Sequence, residues 1–266
     1  KNGDNQGKLN SFDVNLDPFR KAIKSIGLNC KEDVLIIVET TVPPGTCEKV
    51  VYPIIKECLG ERGLKQDKFK IGHSYERVMP GPNYIDSVQN FYRVYSGIDE
   101  HSADQTERFL HTIISTTEYP LTRLKNTNST EIAKVMENSY RANNIAFMVE
   151  WSRFAEESKV NLYEVINAIK MRPTHNNMMY PGVGVGGYCL TKDPLMASWS
   201  RKNLFGSANG LNQSEEGVRI NDLMPLHAFN FFKLNVASKE LKHKSCLLLG
   251  VSYICSHAGI RVLQGI

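Results

Sequence analysis

The feature that most constrains the fold is a short apolar run, Asp33 to Glu39 (DVLIIVE), in which five consecutive aliphatic residues are bounded by charged ones. An uninterrupted run of this length predicts a strand that is buried on both faces, as in a parallel sheet. Turn-forming residues follow at Thr40 to Thr46 (TTVPPGT), and helical periodicity extends from about Cys47 to Leu59. A strand, a turn and a helix in this order predict an α/β fold that binds ligands at the carboxyl ends of its strands.

The rest of the N-terminal part continues this pattern. Asp17 to Ile26 predicts a helix with Asp17 as its N-cap, since a proline follows and apolar residues recur at helical spacing. Two further strands and a helix are predicted at Phe69 to Gly72, Tyr92 to Ser96 and Ala103 to Ser115. No G-x-G-x-x-G turn follows a strand near the start, so either this is not a dinucleotide-binding domain or its first part is absent.

A long helix is predicted from Asn128 to about Lys159, with Asn128 as N-cap and Glu131 as its capping-box partner. Helices of this length often form dimer interfaces, and a homodimer through this helix is therefore expected. A second helix is predicted at Leu162 to Ile169, ended by Pro173.

Three polar residues of the long helix, Lys134, Asn138 and Arg141, fall at positions i, i+4 and i+7 and share one face. A solvated stripe would explain this spacing. Asn138, however, is a poor helix former, which favours a functional role at that position. The spacing alone leaves both interpretations open.

The densest cluster of glycines lies in Gly182 to Pro194 (GVGVGGYCLTKDP). Glycines allow a loop to wrap closely around a ligand, and successive backbone N–H groups in such a loop bind anions. Cys189 lies three residues before Lys192, a setting that favours a thiolate. The alternative is a glycine-rich turn with a buried structural cysteine. The elements predicted after this loop are a helix from Pro194, a flexible turn at Phe205 to Glu216, a helix at Gly217 to Val236 and a strand at Lys244 to Gly250.

Composition excludes several function classes. A net charge of +4, without a Lys/Arg block, does not indicate nucleic-acid binding. The six cysteines show no C-x-x-C spacing and the histidines do not cluster, which predicts a reduced, cytoplasmic protein without a metal site. No apolar run approaches the roughly 20 residues of a membrane span. The polar opening (1–10) and the end at Ile266, just after a predicted strand, lead us to expect a fragment.

Four stretches, in this order, carry a resemblance to a known family: VETTVPPGT (Val38 to Thr46), SYERVMPG (Ser74 to Gly81), EIAKVMENSYRANNIA (Glu131 to Ala146) and GVGVGGYCLTKDP. Together they resemble the nucleotide-sugar 6-dehydrogenases of the UDP-glucose/GDP-mannose dehydrogenase family. The resemblance implies three domains. These are a partial NAD-binding Rossmann-like domain (1–117) that lacks its first βαβ unit, a central helical dimerisation domain (118–240), and the start of a C-terminal Rossmann-like, nucleotide-sugar-binding domain (241–266).

The resemblance also implies an activity, the oxidation of a sugar C6 alcohol to a carboxylate in two steps with two NAD per turnover. A cysteine thiolate adds to the intermediate aldehyde, the thiohemiacetal is oxidised to a thioester, and water releases the acid. By position, Cys189 matches the nucleophile, Lys134 and Asn138 the groups that hold the oxyanion, Asp193 a residue that orients water, and Glu76 a residue for proton transfer.

The remaining matched residues bind ligands. Thr41 matches a threonine near the nicotinamide, and Lys192 lies beside the cofactor phosphates or the thiolate. The implied substrate-binding residues are Arg77, Val78, Arg141, Gly182, Gly184, Gly186, Gly187 and Tyr188, with a UDP-sugar as the ligand.

The sequence departs from the family pattern in two places. Pro80 stands where the UDP-glucose members carry a second glutamate, so ERVMPG is more similar to the branch that oxidises UDP-N-acetylhexosamines. Near the end, Tyr253 is followed by Ile254, and only Arg261 remains of a later motif, so UDP binding there cannot be argued. The alternatives left open are a UDP-glucose 6-dehydrogenase, a truncated, non-catalytic nucleotide-sugar-binding dimer, and a one-step 2-hydroxyacid-type dehydrogenase.

Overall fold

A computed structural model describes residues 2–3, 9–78 and 82–236 of the chain. Several expectations concern positions outside these residues: Pro80, Tyr253, Arg261, the strand at Lys244 to Gly250 and the domain at 241–266. In chain order, the N-terminal elements are β1 (Asn2–Gly3), β2 (Leu9–Ser11), α1 (Asp17–Asn29), β3 (Leu35–Val38), a π-helical turn (Cys47–Val51), α2 (Tyr52–Glu61), β4 (Lys70–His73), α3 (Tyr84–Gln89), β5 (Val94–Gly97), α4 (Glu100–Leu110) and β6 (Thr122–Arg123).

The main sheet has the strand order β3, β4, β5, β6. β3 and β4 are parallel, β4 and β5 antiparallel, and β5 and β6 parallel. The predicted α/β class is confirmed, with a sheet that is mixed rather than wholly parallel. A strand that runs parallel to its predecessor needs a long crossover connection. The described residues between β4 and β5 contain only the six-residue helix α3, which agrees with the antiparallel direction of β5.

One hydrophobic cluster joins α1, α2, β3 and β4. Its buried members include Ile23 of α1, Ile36 of β3, Ile55 of α2 and Ile71 of β4. The apolar run of β3 thus lies in the core, as its composition predicts. This packing fixes the carboxyl ends of β3 and β4, and the loops that follow them, on one framework.

The predicted boundaries of the N-terminal helices need three corrections. Leu16, not Asp17, occupies the N-cap of α1, and Asp17 is the first helical residue. The helix predicted from Cys47 begins as a π-helical turn before it becomes α2. α4 begins at Glu100 rather than Ala103, because the Asp99 side chain caps it by accepting from Ser102 N at 2.7 Å.

The central part is helical, with α5 (Thr127–Ser158), α6 (Leu162–Lys170), a 3-10 turn (Pro173–His175), α7 (Cys189–Asn203) and α8 (Asn212–Val236). α7 and α8 pack against α5 and against each other. The long helix is present as predicted, and Lys159, at φ +58°, ends it in the left-handed conformation.

Three details of this part differ from expectation. Asn126, not Asn128, caps α5, and its side chain accepts from Ser129 N at 2.9 Å. α7 begins at Cys189, five residues before the predicted start at Pro194, so Cys189 lies on a helix and not in the glycine loop. α8 begins at Asn212, inside the segment predicted as a turn. Over residues 2–3, 9–78 and 82–236, no helix combines the length and apolar character needed to cross a membrane.

Candidate active site

The first turn of α5 is fastened to the ends of two strands. Thr130 Oγ1 hydrogen-bonds with His73 Nδ1 of β4 at 2.7 Å and with Ser96 Oγ of β5 at 2.8 Å. All three side chains are buried. Burial, and next the charge of Lys134, lower the pKa of His73 to about 4, so the imidazole is neutral at pH 7. The start of α5 is therefore held at one place on the sheet.

Glu131 fastens the same turn to the loop after β3. Its Oε2 accepts from Gly45 N at 2.6 Å and its Oε1 from Cys47 N at 2.8 Å. The side chain is fully buried. Burial raises the pKa of Glu131 to about 7, against the opposing effect of hydrogen bonds from Cys47 and Gly45. The predicted capping-box role of Glu131 is wrong, because the helix starts earlier and this carboxylate points to a different segment.

Lys134 lies one turn further along α5 and meets the loop after β4. Its Nζ donates to the backbone oxygen of Glu76 at 2.8 Å and lies 4.0 Å from Glu76 Oε1. The Glu76 carboxylate also accepts from Val78 N at 2.5 Å. Two predicted catalytic residues, Lys134 and Glu76, are thus brought together by the fold, and the lysine is almost wholly removed from solvent.

Asn138, on the next turn of α5, reaches α7. Its Nδ2 donates to Asp193 Oδ2 at 2.6 Å, and Lys192 Nζ donates to Asp193 Oδ1 at 2.5 Å. Asp193 is fully buried, and a buried carboxylate needs such partners. The structure therefore shows Lys134 and Asn138 on one face of the helix and brings two further predicted residues, Lys192 and Asp193 of α7, near that face.

Cys189 is the first residue of α7 and carries a free, exposed thiol. It precedes Asp193 by four residues, so the two side chains lie on the same side of the helix. The N-terminus of a helix interacts favourably with negative charge. Since Asp193 is hydrogen-bonded to Asn138, α7 contacts α5 one turn after Cys189.

Arg77 and Val78 continue the loop that carries Glu76. Arg77 Nε donates to Glu137 Oε2 at 3.1 Å, and its Nη2 donates to Tyr75 Oη at 3.2 Å. Glu137 is itself on α5. The loop after β4 therefore contacts α5 at two points, through Glu76 and through Arg77.

The glycine loop lies against α8 at one position and is open at others. A Cβ at Gly184, where φ is +136°, would lie 3.1 Å from Pro225 Cδ, whereas no atom lies within 4 Å of a Cβ built at Gly182 or Gly186. Gly187 also has a positive φ, +83°, and Tyr188 is 67% exposed. The loop is thus accessible along most of its length.

Two predicted site residues stand apart from these contacts. Arg141 is exposed on α5, one turn beyond Asn138, and Thr41 is half-buried in the loop after β3. Within the part of the chain that the structure describes, no hydrogen bond or ion pair joins either residue to Lys134 or Cys189. Their proposed roles therefore depend on bound ligands.

Sequence reasoning gave no site role to His73, Tyr75, Thr130 or Glu131. Their partners lie far away in the chain, 86 residues in the case of Gly45 and Glu131. One signal in the sequence points to two of them: Thr130 and Glu131 are polar residues in the first turns of a helix, four and five residues after its N-cap Asn126. Among the described residues, no group of three or more His, Cys, Asp or Glu side chains could hold a metal ion.

Comparison with known proteins accounts for most of the chain. Residues 5–115 match the NAD binding domain of the UDP-glucose/GDP-mannose dehydrogenase family, and residues 128–221 match that family's central domain. The chain belongs to this family. The predicted resemblance is confirmed, and NAD, the predicted cofactor, agrees with the domain matched at the N-terminal side.

Two similar proteins carry a name that belongs to the branch expected from ERVMPG. The chain is 31% identical over 252 residues to the UDP-N-acetyl-D-mannosamine dehydrogenase of Pyrococcus horikoshii. The matched region covers 93% of this chain and 56% of that protein. It is 32% identical over 235 residues to the enzyme of the same name from Methanocaldococcus jannaschii, with coverages of 88% and 49%. The solved structure of the Pyrococcus horikoshii dehydrogenase superposes with a TM-score of 0.72 at 30% identity, covering 85% of this chain and 51% of that one. The chain thus spans about half the length of the relatives it matches.

Proposed function

We propose that this protein oxidises the C6 alcohol of a UDP-N-acetylhexosamine to the uronate in two NAD-dependent steps. One observation carries the proposal, the hydrogen bond of 2.6 Å from Asn138 Nδ2 to the buried Asp193. This hydrogen bond joins α7, near its start at Cys189, to the face of α5 that carries Lys134 and Asn138. A nucleophile, a cation and an amide donor are the groups that covalent oxidation of an aldehyde needs.

The residues have complementary roles in the reaction. The Cys189 sulfur forms a bond to the aldehyde carbon, and the electron pair of the C=O bond moves to its oxygen. The Lys134 ammonium and the Asn138 amide stabilise this oxyanion. Loss of hydride from the thiohemiacetal gives a thioester. Water then attacks the acyl carbon, oriented by Asp193 with its proton taken by Glu76, and the carboxylate leaves as the thiol is restored.

NAD, when bound, supplies the hydride acceptor for both oxidations. The residues present fit its nicotinamide end. Thr41 follows the carboxyl end of β3, where ligands bind in such sheets, and Glu131 fixes the following residues of that loop through Gly45 and Cys47. Lys192, which remains 44% exposed while it bonds Asp193, is available to the cofactor phosphates or to the thiolate.

The substrate assignment rests on the loop after β4 and on the relatives. Arg77 and Val78 lie beside Glu76, and two similar proteins are named UDP-N-acetyl-D-mannosamine dehydrogenases. The exposed Arg141 and the open glycine loop are accessible to the diphosphate, and the predicted contacts of Gly182, Gly184, Gly186, Gly187 and Tyr188 stay part of this proposal. UDP-N-acetylmannosamine is therefore the first substrate to test.

We further propose a homodimer formed through α5. A row of large apolar side chains is exposed along the helix, at Ile132, Met136, Tyr140, Phe147, Trp151 and Phe154. This row continues over six turns at spacings of three, four and seven residues, opposite the buried face that contacts α7 and α8. A second copy of the helix would cover it. The domain limits 1–117, 118–240 and 241–266, and a cytoplasmic location, stay predictions.

The direct test is to incubate the purified chain with NAD and UDP-N-acetylmannosamine and to measure NADH and the uronate. We expect Cys189→Ser to abolish uronate formation, while Cys30→Ser, at a half-buried cysteine outside the site, leaves it unchanged. Full turnover by Cys189→Ser would exclude the covalent mechanism. A greater rate with UDP-glucose than with UDP-N-acetylhexosamines would favour the alternative substrate. Calorimetric titration in which UDP binds and NAD does not would identify a non-catalytic nucleotide-sugar-binding protein.

A further inference from the structure

Tyr75 is a buried aromatic residue that belongs to neither hydrophobic cluster of the N-terminal part. Its side chain is 2% exposed, and it lies between β4 and Glu76. The clusters around β3 and β5 do not include it. A buried tyrosine usually keeps a partner for its hydroxyl and an apolar surrounding for its ring. Here two cations, Lys134 and Arg77, lie near the ring, together with the neutral imidazole of His73 at a centroid distance of 6.3 Å.

Two cations of the site lie near this one ring. Lys134 Nζ is 5.6 Å and Arg77 Cζ 5.3 Å from the ring centroid. Cations within about 6 Å of an aromatic centroid are attracted by the negative charge of the ring face. The Tyr75 hydroxyl also accepts a hydrogen bond of 3.2 Å from Arg77 Nη2. The ring therefore interacts with both cations, whereas the hydroxyl interacts with Arg77 alone.

Each cation has a second contact besides Tyr75. Lys134 Nζ donates to the Glu76 backbone oxygen at 2.8 Å, and Arg77 pairs with Glu137 at 3.1 Å. Tyr75 is the group that they share. A ring placed beside two like charges offsets part of their mutual repulsion, and here the Lys134 side chain is 11% exposed and that of Arg77 27%. Without the ring, Lys134 would keep only its two contacts with Glu76, the backbone oxygen at 2.8 Å and Oε1 at 4.0 Å.

We infer that Tyr75 is a positioning residue that sets the place of the Lys134 ammonium and of the Arg77 guanidinium at the same time. This inference rests on the proposed function, in which Lys134 holds the oxyanion and Arg77 contacts the substrate. Because the hydroxyl acts on Arg77 whereas the ring acts on both cations, their effects separate. Loss of the hydroxyl weakens substrate binding through Arg77, and loss of the ring also slows the chemical step through Lys134.

Steady-state kinetics with NAD and UDP-N-acetylmannosamine measure this separation. For Tyr75→Phe we expect KM to rise about threefold to tenfold with kcat unchanged, as for the loss of one hydrogen bond. For Tyr75→Leu we expect kcat to fall about 10- to 100-fold as well, less than for complete loss of an oxyanion donor. Tyr52, which packs on Phe69 at 5.2 Å away from the site, provides matched controls in Tyr52→Phe and Tyr52→Leu, for which both constants should stay unchanged.

A second measurement does not depend on turnover. In protein labelled with 13C at the lysine ε carbons, the Lys134 signal, assigned through Lys134→Arg, should be shifted by the ring current of Tyr75. We expect Tyr75→Leu to move this signal, Tyr75→Phe to preserve most of the shift, and Tyr52→Leu to leave it in place. If the wild-type chain forms no NADH, the proposed function fails, and the NMR comparison still decides whether Tyr75 positions Lys134.

The inference would be overturned by an unmoved Lys134 signal in Tyr75→Leu, or by wild-type kcat and KM in that variant. Should Tyr75→Leu fail to fold, pentafluorophenylalanine at position 75 replaces it, because this side chain keeps the ring but reverses the charge of its face. Relative to Tyr75→Phe, it should lower kcat and move the Lys134 signal. Equal kcat and equal signal positions for these two rings would also overturn the inference.

Discussion

The two halves of the candidate site differ in how completely the fold has built them. The half formed by α5 and its partner Asp193 on α7 is buried. Glu131, Lys134 and Asp193 are almost or wholly removed from solvent, and each is hydrogen-bonded. The half formed by the glycine loop and Cys189 is exposed, and Gly182 and Gly186 have no neighbouring atoms within 4 Å of a built Cβ.

This difference separates the contacts that form when the protein folds from those that form only when a ligand binds. Polar groups that stabilise developing charge act best when they are oriented before the reaction, since they then need no reorganisation. A nucleophile and a diphosphate-binding loop, in contrast, must admit the substrate before they enclose it. We therefore expect changes in the buried half to affect the chemical step or stability. In the open half, changes in the glycine loop should affect binding, whereas loss of the Cys189 nucleophile removes the covalent step.

Apart from loss of the nucleophile itself, the largest effect is expected for Lys134→Met, which removes the cation of the buried half. We expect kcat to fall about 10²- to 10³-fold, the cost of removing one oxyanion donor, with a smaller change in KM. Lys56→Met is the control, because that exposed lysine lies near a tyrosine ring, 5.8 Å from the centroid of Tyr52, but on α2. An equal loss of kcat in both variants would contradict a specific role for Lys134.

The next effect concerns stability. Glu131→Ala leaves the buried N–H groups of Gly45 and Cys47 without an acceptor, so the free energy of unfolding should fall by about 2–4 kcal/mol. Glu150→Ala, at an exposed position of the same helix, should change it by less than about 0.5 kcal/mol. Urea unfolding measures both, and similar values would show that Glu131 does not hold the loop after β3.

The pH dependence of stability offers a third test of the buried half. Folding raises the pKa of Glu131 from 4.5 to about 7, so its contribution to the unfolding free energy falls as pH rises between these values. Folding lowers the pKa of His73 from 6.5 to about 4, so its contribution falls as pH drops from 6.5 to 4. Between pH 4.5 and 6.5 the two dependences oppose each other.

Replacing either Glu131 or His73 should therefore reveal the pH dependence of stability that the other group causes. Relative to wild type, Glu131→Gln should lose about 2–3 kcal/mol more as pH falls from 6.5 to 4.5, since only the His73 dependence remains. His73→Asn should show the opposite slope relative to wild type. Urea unfolding at several pH values measures these slopes, and parallel curves for all three proteins would mean that these groups do not titrate as the structure indicates.

The smallest effect is expected in the glycine loop of the open half. Gly184→Ala introduces a Cβ 3.1 Å from Pro225 Cδ at a φ of +136°, which should cost about 1–2 kcal/mol of stability or displace the loop and raise KM. Gly186→Ala, where no atom lies near the added Cβ, should be neutral in the free protein. Thermal unfolding and UDP titration of both variants distinguish these outcomes, and equal effects would show that contact with α8 does not shape the loop.

Local signals in the sequence were enough for the elements and for part of the site. The apolar run of β3 and the turn after it predict the α/β framework, and helical spacing alone predicts that Lys134 and Asn138 share a face. Family motifs then indicate which side chains face the substrate. These inferences use short stretches of chain, in which periodicity and turn chemistry determine geometry.

The rest depends on contacts between distant segments. The antiparallel placement of β5 and the burial of Glu131 against Gly45 follow from tertiary packing, which periodicity does not report. Cys189 was expected in a loop because proline favours the first turn of a helix. In the structure Pro194 lies inside α7, which begins five residues earlier. Near this start, Asp193 accepts a hydrogen bond from Asn138 of α5.

The central claim is that Cys189 keeps the aldehyde on the protein while the buried half of the site holds its oxygen. The most direct test is the number of NADH molecules formed per UDP-N-acetylmannosamine consumed, with the product identified by mass spectrometry. We predict two NADH and one uronate per sugar, with no free aldehyde. One NADH per sugar, with release of the aldehyde, would contradict the claim.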